Sequence, residues 1–145
     1  MISGSRRDAE TQRGALQPID QISADVVDQA IRIHKALGPG LLESVYETVL
    51  AGSLERLGYR VERQKPVDIE FDGMRFSGAF RVDLLIDDRL VVEIKSVEQF
   101  SKAHGKQLLT YLRLLRQPVG LLLNFSCATM IEGIQRVVND HRPQG

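Results

Sequence analysis

The chain has 145 residues, 43% hydrophobic and 26% charged, a composition and length suited to one globular domain with its own core. Lys+Arg and Asp+Glu number 19 each, so a wide basic surface is excluded and any nucleic-acid partner must be held by locally gathered charge. Trp is absent and aromatic content is 6%, so nothing suggests a base-stacking platform; the single cysteine, Cys127, excludes an internal disulfide and a CxxC zinc site. No apolar run approaches the roughly 18–20 residues that cross a bilayer, so no membrane partner is expected. The opening MISGSRRDAETQRG lacks the apolar core of a secretory signal. A cytoplasmic protein is the expectation, with Cys127 a small buried hydrophobe in a reducing compartment.

Residues 1–20 carry charge without apolar periodicity and read as a tail; residues 21–140 form the domain, and 141–145 a second short tail. Ser23 is the expected N-cap of a first helix, in which Val26, Ala30, Ile33 and Leu37 recur at helical spacing until Gly38-Pro39-Gly40 stops it. A second helix over 41–57 shows a broad stripe (Leu42, Val45, Tyr46, Val49, Leu50, Leu54, Leu57), with Gly58 suited to the position after its end. The period then becomes two. Short strands are predicted at 59–67, 68–71 and 74–76, with Asp72-Gly73 a hairpin signal, and a second hairpin joins 80–86 to 90–95 through Asp87-Asp88-Arg89. A third helix spans 102–115, with Leu108, Leu112 and Leu115 on one side. The apolar run 120–125 suits a strand buried on both faces, and 130–138 is assigned as a last strand. Helices around a mixed sheet make the class α/β or α+β.

Chemistry concentrates in RVDLLIDDRLVVEIK, residues 81–95. With a three-residue turn, Ile86 pairs with Leu90 and Asp83 faces Glu93, where cross-strand Cβ atoms are about 4.5–5.5 Å apart. Lys95, two residues on, shares that face, while the opposite face carries Val82, Leu84, Ile86, Leu90, Val92 and Ile94, all apolar. A register one residue off would bury a carboxylate among aliphatics, so hydrophobic pattern alone selects the pairing that clusters the charges. Two such carboxylates, with the backbone carbonyl of Ile94, can share a Mg²⁺ ion, and Mn²⁺ can substitute. The ion would polarise a phosphodiester and acidify a bound water, and Lys95 would hold that water or stabilise the charged transition state. The same spacing also fits a salt-bridged hairpin in which Lys95 or Arg81 neutralises both acids.

Glu43 lies at the margin of the second helix's stripe, on the row of Tyr46 and Leu50; a carboxylate facing the core needs a cation or hydrogen bonds, whereas a solvated one needs neither. His104, Gln107 and Tyr111 form a polar row on the third helix that could position phosphate or water, or could equally be a half-exposed face. His34 reads as a packing or surface hydrogen-bonding residue. No second His or Cys stands at metal spacing, which disfavours a zinc hydrolase.

HKALGPGLLESVYE (34–47) holds Gly40, Glu43 and Tyr46 in a GxxExxY pattern, and with RVDLLI, VVEIKS, HGKQLLTYLRL, PVGLLLNF and GIQRVVN it resembles the bacterial GxxExxY family, a branch of the PD-(D/E)XK nuclease superfamily, over residues 22–139. The resemblance implies a restriction-endonuclease-like core with a metal site at a sheet edge. It implies that Asp83, Glu93, Lys95 and Glu43 are catalytic, Glu43 contacting the metal directly or through water, and that Gln107 and Tyr111 match the QxxxY signature of RecB-like nucleases. Tyr46 joins His104, Gln107 and Tyr111 as substrate-positioning candidates. The expected function is Mg²⁺-dependent hydrolysis of DNA, with a non-catalytic binding or regulatory module or an RNA-directed phosphodiesterase as alternatives. Phosphate contacts are expected from Lys65, Arg75, Arg81, Lys102 and Lys106, and a homodimer would let one site serve each strand of a duplex.

Overall fold

A computed structural model describes residues 18–140. The tails proposed at 1–20 and 141–145 lie almost wholly outside that range. Helix α1 (Ile19–Leu37) begins earlier than the Ser23 cap predicted: Pro18, fixed at φ −65°, precedes it, and Ser23 is buried inside the helix. Ile19, Ile22, Val26, Ala30 and Ile33 make its buried stripe. Helix α2 (Glu43–Arg56) buries Tyr46, Leu50, Ala51 and Leu54. Then come β1 (Val61–Phe71), β2 (Met74–Ile86), β3 (Leu90–Lys95), α3 (Lys102–Leu115), β4 (Val119–Asn124), a single 3₁₀ turn (Ile131–Gly133) and β5 (Ile134–Val138). The predicted breaks within 59–71 and 74–86 are absent. Both are continuous strands, joined by a hairpin whose Asp72 and Gly73 have φ of 50° and 76°, the left-handed pair that a tight two-residue turn requires.

The five strands order as β1-β2-β3-β4-β5, antiparallel except for β3 and β4, which α3 connects in parallel. This mixed sheet with three helices is an α+β architecture. The α1–α2 layer packs on Leu84, Ile86, Leu90, Val92, Ile94, Leu121 and Leu123. Leu108 and Leu112 of α3 cover the other face, against Val67, Val82, Leu85, Val91 and Leu122. Between β3 and β5, β4 is buried on both faces throughout, as its apolar run implied. Leu108 packs closely over Gly120, where a Cβ would meet its Cδ1 at 3.0 Å.

The predicted register holds: Ile86↔Leu90, Leu85↔Val91 and Leu84↔Val92. One facial assignment does not. Val82 was expected with Leu84 and Ile86 but joins Leu85 on the α3 side. Alternation breaks at Asp83, because Gln64, its counterpart on β1, has φ 50° and drops out of a β1–β2 ladder that otherwise keeps one register from Val61↔Ile86 to Val67↔Phe80.

Candidate active site

The main-chain ladder between β2 and β3 stops at Leu84↔Val92, and side chains continue it. Asp83 Oδ2 accepts the Ile94 N–H at 2.8 Å, and Glu93 Oε1 accepts the Asp83 N–H at 3.2 Å. Each carboxylate therefore occupies a hydrogen-bonding position that a regular ladder would give to a carbonyl. Each is thereby tied to main chain.

Glu93 is 6% exposed. Burial first, and then the charge of Asp83, push its carboxyl up to about 8, against the opposing hydrogen bond from Asp83 N–H and the positive charge of Lys95. Among the described residues, neither Lys95 nor Arg81 forms an ion pair with Asp83 or Glu93, so the salt-bridged hairpin is not what the fold contains. The pair is thus two acids held together without a neutralising cation, and a divalent ion fits that deficit. In a strand the N–H and C=O of one residue face the same neighbour, so the Ile94 carbonyl is directed toward β2 with its N–H and could complete an oxygen donor set with Asp83 and Glu93. Among the described residues no three His, Cys, Asp or Glu side chains gather to hold an ion by themselves, so main-chain oxygen and water would have to supply the remaining ligands.

Tyr111 of α3 reaches this centre. Its ring stacks on Phe80 at 4.0 Å, and its hydroxyl pKa is raised by burial and by the charges of Glu93 and Asp83. Gln107, one turn earlier, is exposed on α3. His104 has a different employment: its Nδ1 accepts the Ser101 N–H at 3.2 Å and completes the α3 capping box.

Glu43 is the first residue of α2 and accepts the Ser96 N–H at 2.7 Å. It fixes the segment leaving Lys95, one residue beyond the proposed catalytic lysine. Asn124, fully buried at the end of β4, supports the same segment: Oδ1 accepts the Val97 N–H at 3.1 Å and Nδ2 donates to the Val97 carbonyl at 2.8 Å. Tyr46 is fully buried, stacked on Phe125 at 4.2 Å, its hydroxyl donating to Gly38 O at 2.5 Å and accepting the Leu41 N–H at 3.1 Å. That geometry reassigns it from substrate contact to holding the α1–α2 loop. His34 is buried, its Nε2 2.9 Å from Cys127 O, in keeping with a packing role.

Two residues near the centre escaped sequence reasoning. Glu47 is 7% exposed, its Oε2 clasped by Arg63 (Nε 3.0 Å, Nη2 2.9 Å) and its Oε1 by Gln64 Nε2 at 2.5 Å. Gln64 Nε2 also donates to Asp83 Oδ1 at 3.2 Å. A signal for Glu47 existed: Leu50, Ala51 and Leu54 follow at i+3, i+4 and i+7, so it lies on the buried row.

Of the expected phosphate-binding cations, Lys65 pairs with Glu62 at 2.9 Å and Arg75 with Asp68 at 2.7 Å, while Arg81, Lys102 and Lys106 are exposed and outside the ion pairs found among the described residues. No described helix is long and apolar enough to cross a membrane.

No curated protein matches the chain. The crystal structure of SSO0001 covers 98% of this chain and 80% of its own at 17% identity with a TM-score of 0.52, a likeness of fold. Residues 20–137 match the family model of the PD-(D/E)XK nuclease superfamily, and the chain therefore belongs to that superfamily.

Proposed function

We propose that this chain is a metal-dependent nuclease of the GxxExxY branch, hydrolysing phosphodiester bonds of DNA, with Asp83, Glu93 and the Ile94 carbonyl as ligands of Mg²⁺ or Mn²⁺. The observation that carries the reading is the Asp83–Glu93 pair: Glu93 buried and Asp83 half-buried, each carboxylate held by a main-chain N–H and neither in an ion pair with a cation among the described residues. The superfamily generally uses divalent metals. When bound, the ion would polarise the phosphodiester and acidify a water.

The remaining work falls to the chain. Lys95 leaves β3 beside Glu93, where its ammonium can orient the attacking water and offset negative charge on the phosphorane. Glu43 and Asn124 set the direction of Lys95 through Ser96 and Val97. Tyr111 and Gln107 would meet the scissile phosphate from α3, and exposed Lys102, Lys106 and Arg81 would track the backbone beside it. So few cations predict weak binding whose fall with salt is shallow, because the slope scales with the number of phosphates neutralised. We further propose a cytoplasmic protein that engages duplex DNA as a homodimer, one site per strand.

The test is nicking of supercoiled DNA by purified protein with Mg²⁺ or Mn²⁺, alongside Asp83→Ala and Lys95→Ala. Activity lost in both supports the assignment; activity surviving both sinks it. Hydrolysis of RNA alone would redirect the substrate while leaving the site in place.

A further inference from the structure

Asp83 is held from β1 as well as β3. The β1–β2 ladder keeps one register from Val61↔Ile86 to Val67↔Phe80, except that Gln64 and Asp83 do not pair. Gln64 has φ 50°, a left-handed conformation that side chains other than Gly, Asn and Asp seldom adopt and that surrounding structure must enforce. Two consequences follow from that one distortion. The Asp83 N–H, released from β1, goes to Glu93 Oε1 at 3.2 Å. The Gln64 amide swings in to bridge Glu47 Oε1 (2.5 Å) and Asp83 Oδ1 (3.2 Å).

Glu47 is not a spare metal ligand in this arrangement. Arg63 occupies one of its oxygens and Gln64 the other, so it serves as a buried, charge-compensated anchor on α2. An amide is the group this bridge needs, since its two N–H donors can satisfy two carboxylates at once while adding no charge. A Lys there would neutralise Asp83 and compete with a divalent ion; a carboxylate would repel both neighbours.

We infer that Gln64 is a positioning residue for Asp83: the chain Arg63–Glu47–Gln64 fixes the orientation of the Asp83 carboxylate and so pre-forms the cation site. The inference rests on the reading of Asp83 as a metal ligand. Gln64 acts only through Asp83 and is not itself a catalytic group.

Calorimetric titration of Mn²⁺ into the metal-free full chain tests it, with Asp83→Asn, Gln64→Gly and Gln64→Asn measured beside the unmutated protein and thermal unfolding recorded for each. Glycine accepts φ 50° without a Cβ penalty, so Gln64→Gly removes the amide and keeps the backbone. It should unfold at or near the unmutated temperature yet bind Mn²⁺ about 10- to 100-fold more weakly, the usual cost of removing a group that orients a ligand. Gln64→Asn, which retains an amide and tolerates the left-handed backbone, should recover part of the loss. On DNA, kcat should fall with KM for the nucleic acid little changed. Unaltered Mn²⁺ affinity in Gln64→Gly overturns the inference alone, as does an affinity loss that merely tracks lost stability across both Gln64 variants. If the unmutated protein gives no Asp83-dependent signal, the cation-site reading falls and the inference with it.

Discussion

Replacing Glu93 by Gln is the most direct probe of the site, because it leaves an acceptor for the Asp83 N–H and removes the titration. In the folded chain burial and Asp83 raise this carboxyl from 4.5 to about 8. The folded state therefore keeps a proton that the unfolded chain releases. Its stabilising contribution is complete below about pH 4.5 and is lost as pH rises through about 8. At about 1.36 kcal/mol per pH unit the shift amounts to roughly 5 kcal/mol, comparable with the whole stability of many domains. Urea unfolding in chelator at intervals from pH 5 to 9 should show the unmutated protein losing most of that amount, while Glu93→Gln stays flat across the window. Taking the difference between the two proteins cancels groups that titrate alike in both. Saturating Mn²⁺ should restore the unmutated protein at pH 8–9, since the ion binds the ionised pair and stabilises by RT ln(1 + [Mn²⁺]/Kd), and should do little for the variant. Equal pH slopes in the two proteins would refute the assignment of a buried, proton-holding Glu93.

Asp83→Asn removes the charge that disfavours ionised Glu93, so in chelator at pH 8 it should be at least as stable as the unmutated chain by urea unfolding, while calorimetry detects no Mn²⁺ binding. Tyr46→Phe strips the hydroxyl from Gly38 O and the Leu41 N–H and should cost about 1–3 kcal/mol with KM for DNA unchanged; a KM effect without a stability cost would return Tyr46 to the substrate. Gly133→Ala would place a Cβ 2.1 Å from Asn124 O, and about 1–3 kcal/mol of overpacking should appear as a lower unfolding midpoint. His104→Ala should lose about 0.5–2 kcal/mol of α3 capping at constant kcat, measured by unfolding and by nicking rate.

What sequence alone could and could not reveal divides along physical lines. The β2–β3 register from Ile86↔Leu90 to Leu84↔Val92 is legible because the aliphatic face of these strands permits a single pairing, and the turn at Asp87–Arg89 satisfies it; beyond it, at Asp83 and Glu93, side chains bonded to main chain replace the expected cross-strand pair. The burial of β4 followed from an unbroken apolar run, and the span of α3 from leucine spacing closed by Pro118. Ser23 has the chemistry of a cap, but Pro18 and the apolar Ile19 and Ile22 begin α1 before it. Strict alternation places Val82 with Leu84 and Ile86, but it presumes a regular partner strand; nothing in the letters around Gln64 announces a left-handed residue, since glutamine has no preference for one. Glu43 and Tyr46 were grouped by motif spacing, yet their contacts are long-range: Glu43 meets Ser96, and Tyr46 meets Phe125. A pattern in one helix shows which side chains share a face and says nothing of the strand end they will touch.

The location of the centre follows from how β3 is paired. On one side it runs parallel to β4 as far as Lys95↔Asn124; on the other its antiparallel pairing with β2 stops at Leu84↔Val92. Glu93, Ile94 and Lys95 are therefore held rigidly from β4 while their β2-facing main chain is open to side-chain chemistry. In a regular ladder the Ile94 N–H would meet Val82, and the carboxylates would project outward from a closed sheet. Val82 instead turns to pack beneath α3, and Asp83 takes the vacated N–H. The same departure that costs the ladder its next pair brings an acid against the end of β3 and aims a carbonyl at it. A protein with no net charge can then create a cation-demanding point from two acids, because burial rather than the overall field sets the electrostatics of Glu93. Stability is given up locally at Asp83 and Glu93, and a bound ion would return it, which is why cation affinity and folding stability should move in opposite directions when either acid is neutralised.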